Sequence, residues 1–268
     1  MHTDTDLYLR GAATLLASWE EYARGAEHAA LRRLDGVVSA VFPCEPERSV
    51  YNNALLDRRL PVREHVDALE AMEAAYTAAD VDGFAAWVHE SDRPMRADLE
   101  RRGYRINEQT LAMGMSLEGV RIPPAVIAAD VELAPAEWSE YLRLVPAFGL
   151  PEGLLAGTDP AAFNVLVARI GGEPVAAALS IDVEGDCGIF NVGTVERMRR
   201  QGLATALTTR HVSEAVDRGC RTASLQSTEM GERLYARIGF RDLGRVLEYV
   251  LVPAGQAIVA EASAASAA

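Results

Sequence analysis

The chain contains no lysine: its 26 basic residues are all arginine. That removes a Walker-type phosphate loop, which needs its lysine, and a pyridoxal enzyme, which needs a Schiff-base residue. Cysteine is scarce too. Cys44, Cys187 and Cys220 form no Cys-x-x-Cys pair, so neither a zinc site nor a disulfide framework is signalled. The five histidines include no pair at metal-ligand spacing, and each reads as a surface or satisfied core residue. No metal is expected. No apolar run approaches the roughly 20 residues that a membrane span needs. The opening Met1-His2-Thr3-Asp4 lacks the basic-then-apolar order of a secretory signal. The expectation is a cytoplasmic protein that does not engage membranes.

What is present suits a soluble globular protein of 268 residues, with 49% hydrophobic and 24% charged residues, enough for one large domain or two small ones. The formal net charge of -13 argues against nucleic acid as a partner, because such proteins carry basic patches. An acidic surface favours a cationic substrate such as a small-molecule amine, although acidity also serves solubility. Monomer and homodimer both remain open.

Punctuation divides the chain. Gly119 and the Pro123-Pro124 pair interrupt the stretch from Met115 to Asp130, which reads as a domain linker. The expected parts are residues 1–120, residues 127–253, and a flexible tail over 254–268. In the second part, strands are expected at Val131–Leu133, Phe163–Arg169, Pro174–Asp182, Cys187–Val195 and Thr222–Ser227, with one or two more over Phe240–Leu251. Gly171-Gly172 and Gly185-Asp186 mark tight turns. Helices are expected over Pro135–Val145, Gln201–Asp217 and Glu229–Arg237, the second burying Leu203, Leu207, Val212 and Val216. In the first part, helices are expected over Leu7–Arg24, Val62–Ala79 and Arg93–Arg102. Strands are expected at Val37–Phe42, Val50–Leu56, Gly83–His89 and Tyr104–Leu117. Both parts end on the same series, since Glu100-Arg101-Arg102-Gly103-Tyr104 parallels Ala236-Arg237-Ile238-Gly239-Phe240. An internal duplication is one reading and a common supersecondary pattern is the other.

The sharpest feature is Thr194-Val195-Glu196-Arg197-Met198-Arg199-Arg200-Gln201-Gly202-Leu203-Ala204-Thr205. Here an apolar strand runs through a basic, glycine-containing turn into an amphipathic helix. Unpaired N–H groups at a helix start, aided by the helix dipole, suit a diphosphate, and Gly202 lets backbone approach it. Further on comes Leu234-Tyr235-Ala236-Arg237-Ile238-Gly239-Phe240, on a helix after a strand.

Together these two stretches resemble the signatures of the GNAT superfamily of N-acetyltransferases over residues 127–253. The resemblance implies a mixed α/β sheet holding acetyl-CoA, the acyl-donor substrate, between two central strands. It places Val192, Gly193 and Thr194 along the pantetheine arm and Arg199, Arg200, Gln201, Gly202, Leu203, Ala204 and Thr205 around the pyrophosphate. Thr228 falls where the family often has asparagine, and Tyr235 where many members protonate the departing thiolate. Backbone N–H groups near the strand end would polarise the thioester carbonyl.

Glu196 replaces a usual proline, and the strand from Cys187 carries no carboxylate to act as base. Asp182, Glu184, Asp186, Glu229 and Glu248 are near in sequence, each expected to be solvated. Cys187 and Cys220 are expected to pack rather than react. The first part has no comparable loop, because Asp57-Arg58-Arg59-Leu60-Pro61 lacks glycine. It resembles the silent half of a tandem GNAT protein. The rival readings are a GNAT-fold acyl-CoA sensor or interaction module, and an enzyme acting on protein amines.

Overall fold

The computed structural model describes residues 2–46, 51–122, 125, 127–150 and 152–251. The expected tail from Ala254 and the Pro123-Pro124 punctuation lie outside them. In chain order, the first series is α1 (Asp4–Gly25), β1 (Ala30–Leu34), β2 (Val37–Val41), β3 (Asn53–Leu56), α2 (His65–Thr77), β4 (Ala85–His89), α3 (Arg93–Arg101) and β5 (Tyr104–Ser116). The second begins with β6 (Val131–Pro135), α4 (Trp138–Leu144) and α5 (Glu152–Leu155). It continues with β7 (Asn164–Ile170), β8 (Glu173–Val183), β9 (Asp186–Thr194), α6 (Leu203–Asp217), β10 (Thr222–Ser227), α7 (Glu232–Ile238) and β11 (Arg241–Leu251).

Two compact units emerge, and both are discontinuous in sequence. Among the described residues, unit 1 takes those up to Ser18 together with Leu111–Leu243, and unit 2 takes Trp19–Thr110 with Gly244–Leu251. The anticipated break at 120–127 therefore falls inside unit 1.

In unit 1 the strand order is β5-β10-β9-β8-β7-β6. The β9–β10 pair is parallel, and β5–β10, β8–β9, β7–β8 and β6–β7 are antiparallel. In unit 2 the order is β1-β2-β3-β4-β11, with β3–β4 parallel and the rest antiparallel. Both units thus hold a hairpin, a strand, a helix and a second strand parallel to the first. Gly103 and Gly239, the paired glycines of the two sequence stretches, both take left-handed φ, at +95° and +123°. Each sits just after its helix, where an L side chain would be strained. The closing strands then cross over. β5 follows α3 in sequence but ladders on β10 in unit 1, and β11 follows α7 but ladders on β4 in unit 2.

Several local expectations need correction. Pro135 does not open a helix. It ends β6 and pairs with Leu166. β6 is an edge strand, so the missing N–H leaves no gap in an interior ladder. The helix begins at Trp138 and passes into a tighter turn over Val145–Phe148. α6 starts at Leu203, two residues late, and exposes Val216 while burying Ala215 and His211. α7 starts three residues late, after a turn closed by the Gly231 N–H on the Thr228 carbonyl at 3.0 Å. β1 was not anticipated. β3 starts only at Asn53, so Tyr51 and Asn52 precede it. Asn52 is buried, accepting from the Phe42 N–H at 2.7 Å and donating to the Glu45 carbonyl at 2.9 Å. The Gly171-Gly172 turn stands as expected, whereas the turn expected at Gly185-Asp186 falls one residue earlier, at Glu184-Gly185, because Asp186 already belongs to β9; all four turn residues take positive φ, which matches the twist of the strands they join.

The unit 2 core gathers Leu69, Met72 and Tyr76 of α2 and Met95 and Leu99 of α3 on Val88 of β4 and Tyr249 of β11. Unit 1 seats the first turns of α1 on its sheet through close contacts. A Cβ on Gly188 of β9 would come within 2.3 Å of Thr14, and one on Gly11 of α1 would meet Ser224 of β10 at 3.0 Å.

Candidate active site

The site is built where β9 and β10 part. Their parallel register runs from Thr222↔Asp186 to Leu225↔Ile189 and stops, so Phe190–Thr194 continue without a β10 partner. On its other edge β9 bulges. The register with β8 shifts between Ala177↔Gly193 and Leu179↔Phe190, leaving Asn191 and Val192 opposite the single residue Ala178. Asn191 takes φ +52°, a region that asparagine tolerates better than most residues. Its side-chain N–H donates to the Tyr141 hydroxyl of α4 at 3.0 Å.

Val192, Gly193 and Thr194, expected along the pantetheine arm, are all buried. Gly193 cannot be anything larger, because a Cβ there would sit 2.4 Å from the ring of Phe148. The chain then turns through Glu196–Met198, with the Val195 N–H bonded to the Val175 carbonyl at 2.9 Å. Arg199 donates through Nε to the Thr194 carbonyl at 3.3 Å, tying the loop to the strand end. Arg200 and Gly202 both take left-handed φ, at +64° and +82°.

Gly202 is the N-cap of α6 and brings no side-chain cap. The first-turn donors of Leu203, Ala204 and Thr205 thus have no intrahelical acceptor, and the helix dipole adds positive potential there. Arg199, Arg200 and Gln201 stand exposed in front of that helix start. A helix start of this kind is suited to an anion.

Beyond the open end of β10, the Thr228 hydroxyl oxygen is buried with no hydrogen-bond partner among the described residues. A buried, unanswered hydroxyl is costly unless something else meets it. Tyr235 on α7 is 2% exposed, with its ring edge against Phe240 at 6.2 Å between centroids. Burial alone pushes its phenol well above the usual range, so it stays protonated.

The carboxylates divide. Asp182, Glu184 and Glu229 are exposed as expected, Asp182 in a bidentate pair with Arg218 at 2.5 and 2.9 Å. Asp186 and Glu248 are not solvated, being 1% and 4% exposed. Asp186 is the first residue of β9, which therefore does carry a carboxylate. It accepts from three hydroxyls, Thr14 at 2.8 Å, Thr222 at 2.6 Å and Ser224 at 2.6 Å, which gives it a structural task. Glu248 belongs to unit 2. The cysteines are poor nucleophiles: burial pushes the Cys187 thiol well up and that of Cys220 up to about 11.

Sequence reasoning missed Tyr141, Phe148, Asn191 and His211. One signal was available, a lone asparagine in an apolar strand two residues before a glycine.

A parallel pair that splays beyond an antiparallel bulge, with a glycine-led helix start at its open end, marks this mixed α/β fold. Comparison agrees. Residues 131–240 match the family model described as "Acetyltransferase (GNAT) family". The fold is that of solved GNAT proteins. A GCN5-related N-acetyltransferase from Kribbella flavida superposes with TM-score 0.66 at 19% identity, covering 90% of this chain and 95% of its own. One from Sphaerobacter thermophilus gives 0.63 at 19% identity, covering 91% and 92%. A tandem GNAT protein from the clavulanic acid biosynthesis pathway gives 0.55 at 14% identity, covering 74% of each chain. No curated protein sequence matches the chain.

Proposed function

We propose that the chain is an N-acetyltransferase that moves an acetyl group from acetyl-CoA to the primary amine of a small molecule. The observation that carries this reading is the splay of β9 from β10 after Ile189, ending at the uncapped start of α6. The cradle from Arg199 to Thr205 takes the diphosphate, and the pantetheine arm runs along Val192, Gly193 and Thr194 with Thr228 beside it. A neutral amine attacks the thioester carbonyl, the carbon–sulfur bond breaks, and the amine proton passes to water. The thiolate takes the proton of Tyr235, which water then replaces. No covalent enzyme intermediate is needed.

On this reading the first series of elements is a degenerate GNAT half. Its β3 pairs with β4 through Leu55 of a strand that ends at Leu56, so it leaves almost nothing splayed. Its turn is filled. Asp57 pairs with Arg59, Leu60 packs where a Gly36 Cβ would be, and the Leu60 carbonyl meets His65 at 3.3 Å.

Calorimetry with acetyl-CoA should therefore give one equivalent per chain, and two equal sites would refute the assignment. CoA release with a panel of amines separates the enzyme from the rival reading, a non-catalytic acyl-CoA sensor. That rival is favoured by the burial of Tyr235 and by the task Asp186 already has. Binding without release under any amine would decide for it.

A further inference from the structure

A cleft of about 480 Å³ opens in unit 1 between the start of α1 and the turn from β8 into β9. That volume holds a small molecule with room to spare. Asp6, Leu9, Arg10 and Ala13 face it at the i, i+3, i+4, i+7 spacing of one helix face, and Val183 and Glu184 stand opposite. The Arg10 guanidinium donates to the Glu184 carbonyl at 3.2 Å, which fixes it at the cleft. Among the described residues, no ion pair closes between Arg10 and either carboxylate, Asp6 or Glu184. Asp6 accepts from the N–H and the hydroxyl of Thr3 on one oxygen, at 3.1 and 2.7 Å. Those bonds hold its carboxyl below the usual carboxylate range, so it stays charged with its second oxygen to offer. Nε2 of His2 is buried and meets no partner among the described residues, while the His2 carbonyl is pinned by Arg241 at 3.0 Å. A buried ring nitrogen left unanswered is costly unless something enters to meet it.

We propose that this cleft is a binding site for a diamino carboxylic acid of lysine or ornithine size, separate from the acyl-CoA site. The charges choose the class. Two carboxylates and one guanidinium face the cleft. A diamino acid carries two ammonium groups and one carboxylate, the complementary set. Its carboxylate meets Arg10, its ammonium groups meet Asp6 and Glu184, and its methylene stem lies along Leu9, Ala13 and Val183. A plain diamine would bring Arg10 only repulsion, and a neutral amino acid would leave one carboxylate unmet.

The seat is not an acceptor position for acyl transfer. Glu184 precedes β9, and that strand leaves β10 only beyond Ile189. From Asp186 to Phe190 the strand rises about 13 Å. An attacking nitrogen must lie about 3–3.5 Å from its carbon. The molecule held here is recognised rather than acylated, and binding it needs no acyl-CoA.

The test is calorimetry on the full chain with L-lysine as probe. Norleucine lacks the side-chain ammonium, and cadaverine lacks the carboxylate. L-Lysine should bind at one site per chain, and each truncated analogue about fivefold more weakly or worse. Arg10→Gln should weaken L-lysine by a similar factor without weakening cadaverine. Asp6→Asn and Glu184→Gln should weaken both. Urea melts identify the variants that fold as wild type does. The Glu184 carboxylate has no partner among the described residues, so Glu184→Gln decides should Arg10→Gln fail to fold. A wild-type chain that binds neither L-lysine nor L-ornithine overturns the proposal. So does L-lysine binding that all three variants leave unchanged, which would seat the amino acid elsewhere, the amine position of the acyl-CoA site included. Norleucine or cadaverine binding as tightly as L-lysine overturns the charge assignment and the ligand class with it.

Discussion

The Thr14 hydroxyl of α1 donates to the Asp186 carboxylate at the start of β9 across 2.8 Å, joining residues 172 positions apart. Thr222 and Ser224 of β10 complete the shell, so one buried carboxyl group ties the first helix to both strands of the parallel pair. Hydrogen bonds to a charged group are worth about 1.5–3 kcal/mol each. Thr14→Val should lower unfolding free energy by that amount and Asp186→Asn by about 2–4 kcal/mol. Urea melts of both singles and the double variant check this, and strict additivity would show that the two residues do not act together.

Gly202 sits at φ +82° with its backbone at the start of α6. A side chain there is strained by about 1–2 kcal/mol and places bulk between the helix start and a diphosphate. Gly202→Val should weaken CoA binding by about tenfold or more while the variant still folds. Unchanged affinity in calorimetry would remove the loop from the site.

Tyr235→Phe keeps the ring on Phe240 and removes only the hydroxyl, whose pKa is raised by burial without any hydrogen bond contributing. Melting temperature should hold. If the phenol is the general acid, kcat should fall by about 100-fold or more, with acetyl-CoA affinity kept. Because the phenol stays protonated, wild-type kcat should also show no loss on raising pH through 10. Wild-type turnover in the variant would leave Tyr235 with packing alone.

His211 brings a pH dependence of stability. Its pKa falls from 6.5 to about 4 on burial, so between those values the unfolded chain binds a proton that the folded chain does not. Stability from this group is therefore full above about pH 6.5 and is lost as pH falls toward 4, by up to roughly 3 kcal/mol. His211→Gln should flatten urea midpoints across that window, whereas the carboxylates lowered by their arginines act lower, Asp57 below the window and Glu140 from its acid end downward. An unchanged slope in the variant would assign the effect elsewhere.

Features governed by neighbours in sequence were legible. β10 occupies the six residues expected, Gly171-Gly172 turns as its φ freedom requires, and the run from Arg199 through Gly202 into α6 sits where a strand gives way to a helix. Each depends on local sterics or on an amphipathic period, which the order of residues encodes directly. Even there the reading stopped at the edges. Val216 suits the apolar stripe of α6 by spacing but lies in its last turn, facing water.

Only the tertiary structure decided the rest. Pro135 could open a helix or end a strand, and the free edge of β6 chose the strand. β5 ladders on β10 and β11 on β4, each away from the helix it follows in sequence, and no local pattern records that. At the Asn191 bulge, Tyr141 from 50 residues earlier meets the Asn191 side chain, and His211 from 20 residues later meets the carbonyl of Ala178 opposite it. Asp186 reads in sequence as one more surface carboxylate beside a turn, and three hydroxyls brought from α1 and β10 make it a buried brace. A side chain's partners are set by distances through space, and those exist only after the chain has closed on itself.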